Sequence, residues 1–192
     1  MKTTITKLAV AAVGVFAISS TPARAILIID LNQSGPDVVA TGSGTINKAA
    51  LTLTGSSITF SGSVAPANRD LVLGATGAKA DTFSGLIGPS NFGLGSLQVF
   101  ANSGGGDIAG IFFGSLVLPT GYVSGSQLSD ISVWSNETLS NLGITPGTYT
   151  WHWGSGANAD SLTVLAAVPE PCTAFFGIAL CGLTVMRRRR NA

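Results

Sequence analysis

Thr145-Pro146-Gly147-Thr148-Tyr149-Thr150-Trp151-His152-Trp153 is the stretch on which the fold class turns. Pro146 and Gly147 sit where a reverse turn uses them, and the residues after them alternate between large aromatic and polar. A period of two belongs to a strand. It places Tyr149, Trp151 and Trp153 on one face and His152 on the other. Residues 154–160 form a Gly-, Ser- and Asn-bearing loop, after which Leu162, Val164 and Leu165 mark a last strand. The two strands read as a terminal hairpin with a long loop.

The same texture extends back to residue 26. Residues 26–167 hold few charges and no long helical period, and short apolar or alternating runs are separated by Gly, Pro, Asn and Asp. This is the pattern of an all-β protein, a single β-sandwich-like domain of jelly-roll or similar type. Its Ile, Leu, Val and Phe content is enough to build a core, which argues against disorder. Residues 25–31 are continuously apolar and are expected as a first strand buried on both faces. Ile46 is out of phase with Leu51 and Leu53, which predicts a bulge or bend near Asn47 and Lys48. Gly55-Ser56-Ser57 reads as a tight turn from which Ile58 and Phe60 return.

Residues 65–69 read as a proline loop, 70–74 as a short strand with Leu71 and Leu73 on one side, and 75–80 as weakly ordered. Residues 83–87 read as a strand closed by Gly88-Pro89, and 90–96 as a structured loop around Phe92. Leu97, Val99 and Ala101 alternate toward one face. Residues 108–118 carry the strongest strand signal and are expected as one strand in a sheet interior. Pro119-Thr120-Gly121 is a turn, Ile131, Val133 and Trp134 belong to a strand, and residues 136–142 fit one helical turn ended by Gly143.

The two ends of the chain differ from this domain. Residues 1–25 have a basic start (Lys2, Lys7), an apolar stretch over 8–18, and a polar stretch ending Ala23-Arg24-Ala25, the three parts of a secretory signal peptide. Cleavage is expected after Ala25, with Ala23 and Ala25 as the small residues that signal peptidase reads after passage through the Sec translocon. At the other end, Val168-Pro169-Glu170-Pro171 precedes the uncharged run 172–186, and then come Arg187, Arg188, Arg189 and Arg190. Proline cannot continue a helix, so the motif marks the end of the preceding domain at 167. Fifteen residues of helix rise about 22 Å against a hydrocarbon core of about 30 Å, a short transmembrane helix. The arginines act as its cytoplasmic anchor.

Once these ends are set apart, the charge balance changes sign. The formal charge of the whole chain is +1, yet between residues 26 and 167 only Lys48, Arg69 and Lys79 are basic, against eight acidic residues, which leaves −5. Such a domain lacks the clustered Lys and Arg that nucleic acid requires. Both cysteines, Cys172 and Cys181, lie in the apolar run, about 13 Å apart along a helix, too far for a mutual disulfide. No metal-ligand spacing is present, and no cofactor is expected.

The order Pro-Glu-Pro, apolar segment, arginine cluster resembles the PEP-CTERM sorting signal of exported proteins of Gram-negative bacteria. The resemblance implies recognition at Val168, Pro169, Glu170 and Pro171 by an exosortase, a membrane-embedded cysteine transpeptidase-like enzyme that cuts near the motif. It further implies export across the inner membrane, a single-pass form with a cytoplasmic C-terminus before processing, and a final place at the cell surface or outside the cell. Four further runs, over residues 38–45, 88–93, 121–125 and 145–154, are similar to a recurrent group of PEP-CTERM ectodomains. That likeness transfers no catalytic residue. It implies a structural or interaction role in an exopolysaccharide-associated surface layer.

Within the domain, candidate chemistry is thin. His152 is the sole histidine, and a hydrolase would have to use it, but no G-x-S-x-G elbow is present. Gly104-Gly105-Gly106-Asp107-Ile108-Ala109 has the spacing of a dinucleotide fingerprint, yet Ile111-Phe112-Phe113 behind it reads as strand, so it is taken as a plain loop. Asp107 and Asp160 lack the spaced carboxylates of a calcium loop. Tyr149, Trp151 and Trp153, if exposed, would make a sugar-stacking platform and the domain a glycan-binding module. As core they would simply fill the interior, and this is the expected arrangement. The reading is of a non-enzymatic exported surface protein.

Overall fold

The computed structural model describes residues 26–167. The expected signal peptide with Ala23 and Ala25, the motif Val168 to Pro171, the segment 172–186 and Arg187 to Arg190 lie outside the described residues. Among the described residues no helix is long and apolar enough to cross a membrane.

The chain is all-β, and two sheets pack face to face in a sandwich-like arrangement. Among the described residues there are thirteen strands: β1 (Ile26–Ser34), β2 (Asp37–Thr45), β3 (Thr52–Phe60), β4 (Ser63–Ala65), β5 (Asp70–Leu73), β6 (Ala78–Ser84), β7 (Val99–Phe100), β8 (Ser103–Gly106), β9 (Ala109–Phe112), β10 (Ser115–Pro119), β11 (Gln127–Trp134), β12 (Gly147–Trp153) and β13 (Asp160–Ala167). The six-stranded sheet has the order β12-β13-β1-β2-β11-β8, and the seven-stranded sheet β3-β6-β10-β9-β5-β4-β7. All pairs are antiparallel except one. β1 runs parallel to β13, with Ile26 beside Ser161 and Asn32 beside Ala167.

Alternation builds the interior. Leu27, Ile29 and Leu31 from β1 meet Val38 and Ala40 from β2, Leu71 and Leu73 from β5, and Ile111, Leu116 and Leu118 from β9 and β10. Trp134, Trp151 and Trp153 are buried among them. A buried indole needs an acceptor, and each finds a carbonyl outside its own strand. Trp134 donates to Val99 O at 3.1 Å, Trp151 to Pro89 O at 3.0 Å and Trp153 to Asn47 O at 2.9 Å.

Several expectations need correction. β1 is not buried on both faces: Ile26 and Ile28 are exposed, because the outer face of the six-stranded sheet meets solvent. Gly55-Ser56-Ser57 is no turn. β3 runs through it, bulged against β6 with two register shifts and Ser57 at φ 54°. Asp81 holds that bulge, accepting from Ser56 Oγ at 2.7 Å and Ser57 N at 3.0 Å, and from Gly121 N at 3.0 Å. The Gly121 contact leads in keeping its carboxyl below the usual range.

The expected strand over 108–118 is a hairpin, β9 and β10, joined by Phe113-Gly114. Both residues have positive φ, 48° and 79°, the geometry of a two-residue turn whose twist matches its strands. The pair does lie inside its sheet. The expected loop at 104–106 belongs to edge strand β8, and the chain passes directly into β9 without a helix.

The expected strand over 83–87 is also absent, since β6 ends at Ser84. Residues 85–98 instead strap the edge of the six-stranded sheet. Ile87 and His152 exchange backbone hydrogen bonds at 2.9 Å, Gly93 bridges Ile144, and Phe92 is buried edge-on to Trp151. Leu97 is exposed rather than sharing an inward face with Val99 and Ala101. The expected turn at 119–121 and the β12–β13 hairpin are found, residues 136–142 hold one helical turn from Thr138 to Leu142, and the bulge or bend expected near Asn47 and Lys48 is a turn from Lys48 to Leu51 between β2 and β3.

Candidate functional site

The seven-stranded sheet is apolar on both faces. Alternation on β5 sends Leu71 and Leu73 inward and leaves Val72 and Asp70 on the outer side. There Phe60, Val72, Ala80, Ile108 and Val117 form a second buried cluster, against which Phe112 packs. Phe112 stands edge-on to Phe60, with centroids 5.2 Å apart, and to Phe113, 4.7 Å apart. Phe100 and Phe113 are 59% and 56% exposed. With Ile58 these rings bound a groove of about 400 Å³, to which Ser63, Thr82, Gln98 and Ser115 add polar groups.

Behind Ser63 and Gln98 lies Asp70, fully buried. Ser63 Oγ donates to Oδ1 at 3.0 Å and Gln98 Nε2 donates to Oδ2 at 2.8 Å. Gln98 Nε2 also donates to Ser63 Oγ at 3.2 Å. Burial pushes the Asp70 carboxyl up to about 6, against the lowering effect of those two donors. An apolar concavity with a few convergent polar groups can seat an aromatic or aliphatic group and orient it by one or two hydrogen bonds.

The sequence-predicted residues lie elsewhere. Trp151 and Trp153 are buried, and Tyr149 is half-buried with its hydroxyl donating to Thr145 O at 2.9 Å. Trp151 and Trp153 are core, the expected arrangement, and Tyr149 packs against that core, so the alternative of Tyr149, Trp151 and Trp153 as an exposed glycan-stacking platform has no such surface here. His152 is exposed opposite Ser161 and, with Asp160 and Ser161, lines a hollow of about 440 Å³. Asp160 shares the face of Trp153, and its carboxylate accepts from Asn47 N at 2.5 Å and Ser161 N at 2.7 Å. These backbone donors engage the carboxylate that a triad would need to orient the imidazole. Asp107 is half-buried and accepts from Ser129 N at 2.9 Å. Among the described residues no group of three or more His, Cys, Asp or Glu is placed to hold a metal.

The groove residues Phe60, Phe100, Phe112 and Phe113 were missed from the sequence. A signal was available, since adjacent Phe112 and Phe113 in an extended stretch cannot both face inward. No protein-family model, curated protein or solved structure matches the chain.

Proposed function

We propose that this chain is an exported cell-surface protein carrying a PEP-CTERM sorting signal, processed by an exosortase. Its β-sandwich, which we take to be a jelly-roll-type ectodomain, serves a structural or interaction role in an exopolysaccharide-associated surface layer. The carrying observation is the C-terminal order Val168-Pro169-Glu170-Pro171, apolar residues 172–186, Arg187 to Arg190. The exposed phenylalanines of the seven-stranded sheet support the interaction role, because contiguous exposed apolar surface marks contact sites.

Mass spectrometry of the protein from the surface fraction tests the reading. A mature chain beginning at Ile26 and ending near Pro171 is expected, together with retention in the inner membrane when Pro169, Glu170 and Pro171 are replaced by alanine. A surface-fraction chain still ending in Arg190 overturns the processing step.

A further inference from the structure

Asp130 lies on the inward face of β11 between Leu128 and Ser132, only 5% exposed, and neither carboxylate oxygen has a hydrogen-bond partner. Its lateral neighbours are Gly42 on β2 and Gly106 on β8. The carboxylate leans over Gly42, where any Cβ would collide with Oδ1. The side chain is thus accommodated by the absence of another one. The Gly42 amide lies close enough to offset part of the burial cost but is not aligned as a donor to either oxygen.

No cation answers it. The three basic groups of residues 26–167 are held elsewhere: Lys48 over the Phe83 ring, Arg69 against Gly114, and Lys79 on Thr59 Oγ1. β2 presents only Val38, Ala40, Gly42 and Gly44 on that face, and the Asp70 of β5 is turned to the far side of its sheet. The remaining neighbour is Asp107, directly after β8, whose charge acts against ionisation of Asp130. A lone buried carboxylate beside a second one is far cheaper to keep neutral than charged. Burial first, and then Asp107, push the Asp130 carboxyl up to about 7.

The weakest structure nearby is β8, Ser-Gly-Gly-Gly, an edge strand paired only with β11. Glycine loses the most conformational freedom on ordering and packs no side chain. We propose that Asp130 and β8 form a proton-operated latch: with the carboxyl neutral the β8–β11 ladder stays shut, and loss of the proton releases residues 103–107 from β11. Release admits water to the carboxylate and separates it from Asp107, which gives up its hold on Ser129 N.

Hydrogen exchange at residues 103–107 and 127–131 of the 26–167 region in the full chain, corrected for intrinsic rates and followed from pH 5 to 9, tests the latch. Protection is expected to fall by up to tenfold per pH unit between about 4 and about 7, where the shut form holds the proton and the released form does not, and to level off above about 7. In Asp130→Asn it is expected to be flat. An equal slope in both proteins, or a flat wild-type profile, overturns the proposal. Carboxyl carbon NMR of wild type needs no variant to fold: titration of Asp130 near neutrality is expected, and titration near 4 overturns the proposal. Asp107→Asn removes the like charge that favours the neutral carboxyl and is expected to move the levelling-off to lower pH, and an unmoved profile overturns the role given to Asp107.

Discussion

The outer faces of the two sheets are unlike. Across the six-stranded sheet one row runs Thr150, Thr163, Ile28, Ser43, Ser129, short side chains with mostly hydroxyl ends. Across the seven-stranded sheet the corresponding surface holds a second buried cluster and then exposed phenylalanines. An antiparallel sheet that faces water on one side needs only the first kind of surface. The second carries apolar area beyond what one interior demands. The sandwich is therefore built from one sheet with a single purpose and one with a surplus, and the surplus is where contacts with other molecules are to be sought.

Four substitutions or titrations would break or sharpen this contrast. Trp151→Ala removes an indole from the shared interior and is expected to lower unfolding free energy by about 3–5 kcal/mol in urea. A loss under about 1 kcal/mol would contradict the interior placement of the β12 aromatics. Asp70 comes next. Its folded-state pKa, about 6, lies above the unstructured value of 3.8, so the folded form binds its proton more tightly. The stability it lends is fully present below about pH 4 and lost as pH rises toward and through 6, on the order of 3 kcal/mol for the buried group. Denaturation followed across pH 3.5–7 should show that slope in wild type and not in Asp70→Asn, after allowance for Asp130.

Val72→Ala probes the second layer alone. About 1.5 kcal/mol is expected for two buried methyl groups, whereas a water-facing valine would register near zero. Phe100→Ser should change stability by no more than about 0.5 kcal/mol, as exposed positions do. A large loss there would mean that the ring is structural and that the groove has no free wall.

Fold class was legible because alternation is a local property. Tyr149 to Trp153 and Leu162 to Val164 declare their faces within a few residues, and the hairpin they predict is the one found. Residues 108–118 misled for a physical reason. Phe113 occupies a left-handed turn position normally given to Asn or Gly, so its composition reads as strand. Gly104 to Gly106 misled in the other direction, because glycines on an edge are ordered by a neighbour strand and not by their own preference.

The groove was illegible for a related reason. It assembles Ile58, Ser63, Gln98, Phe100 and Phe113 from β3, β4, the residue before β7, β7 itself and the β9–β10 turn, which only the sheet order brings together. Asp130 likewise looks like any strand-edge acid until β2 is set beside it. Then Gly42 becomes the space its carboxyl occupies.

The parallel pairing of β1 with β13 has a consequence in time. Of the described strands β1 is the first to be synthesised and β13 the last, yet the two lie side by side in mid-sheet along seven residue pairs. Until residue 167 has emerged, β1 has an open side and β12 has no partner strand. Contacts this distant in sequence are slow to form, so the six-stranded sheet stays incomplete until β13 has been made. Maturation of the sandwich waits on its final strand.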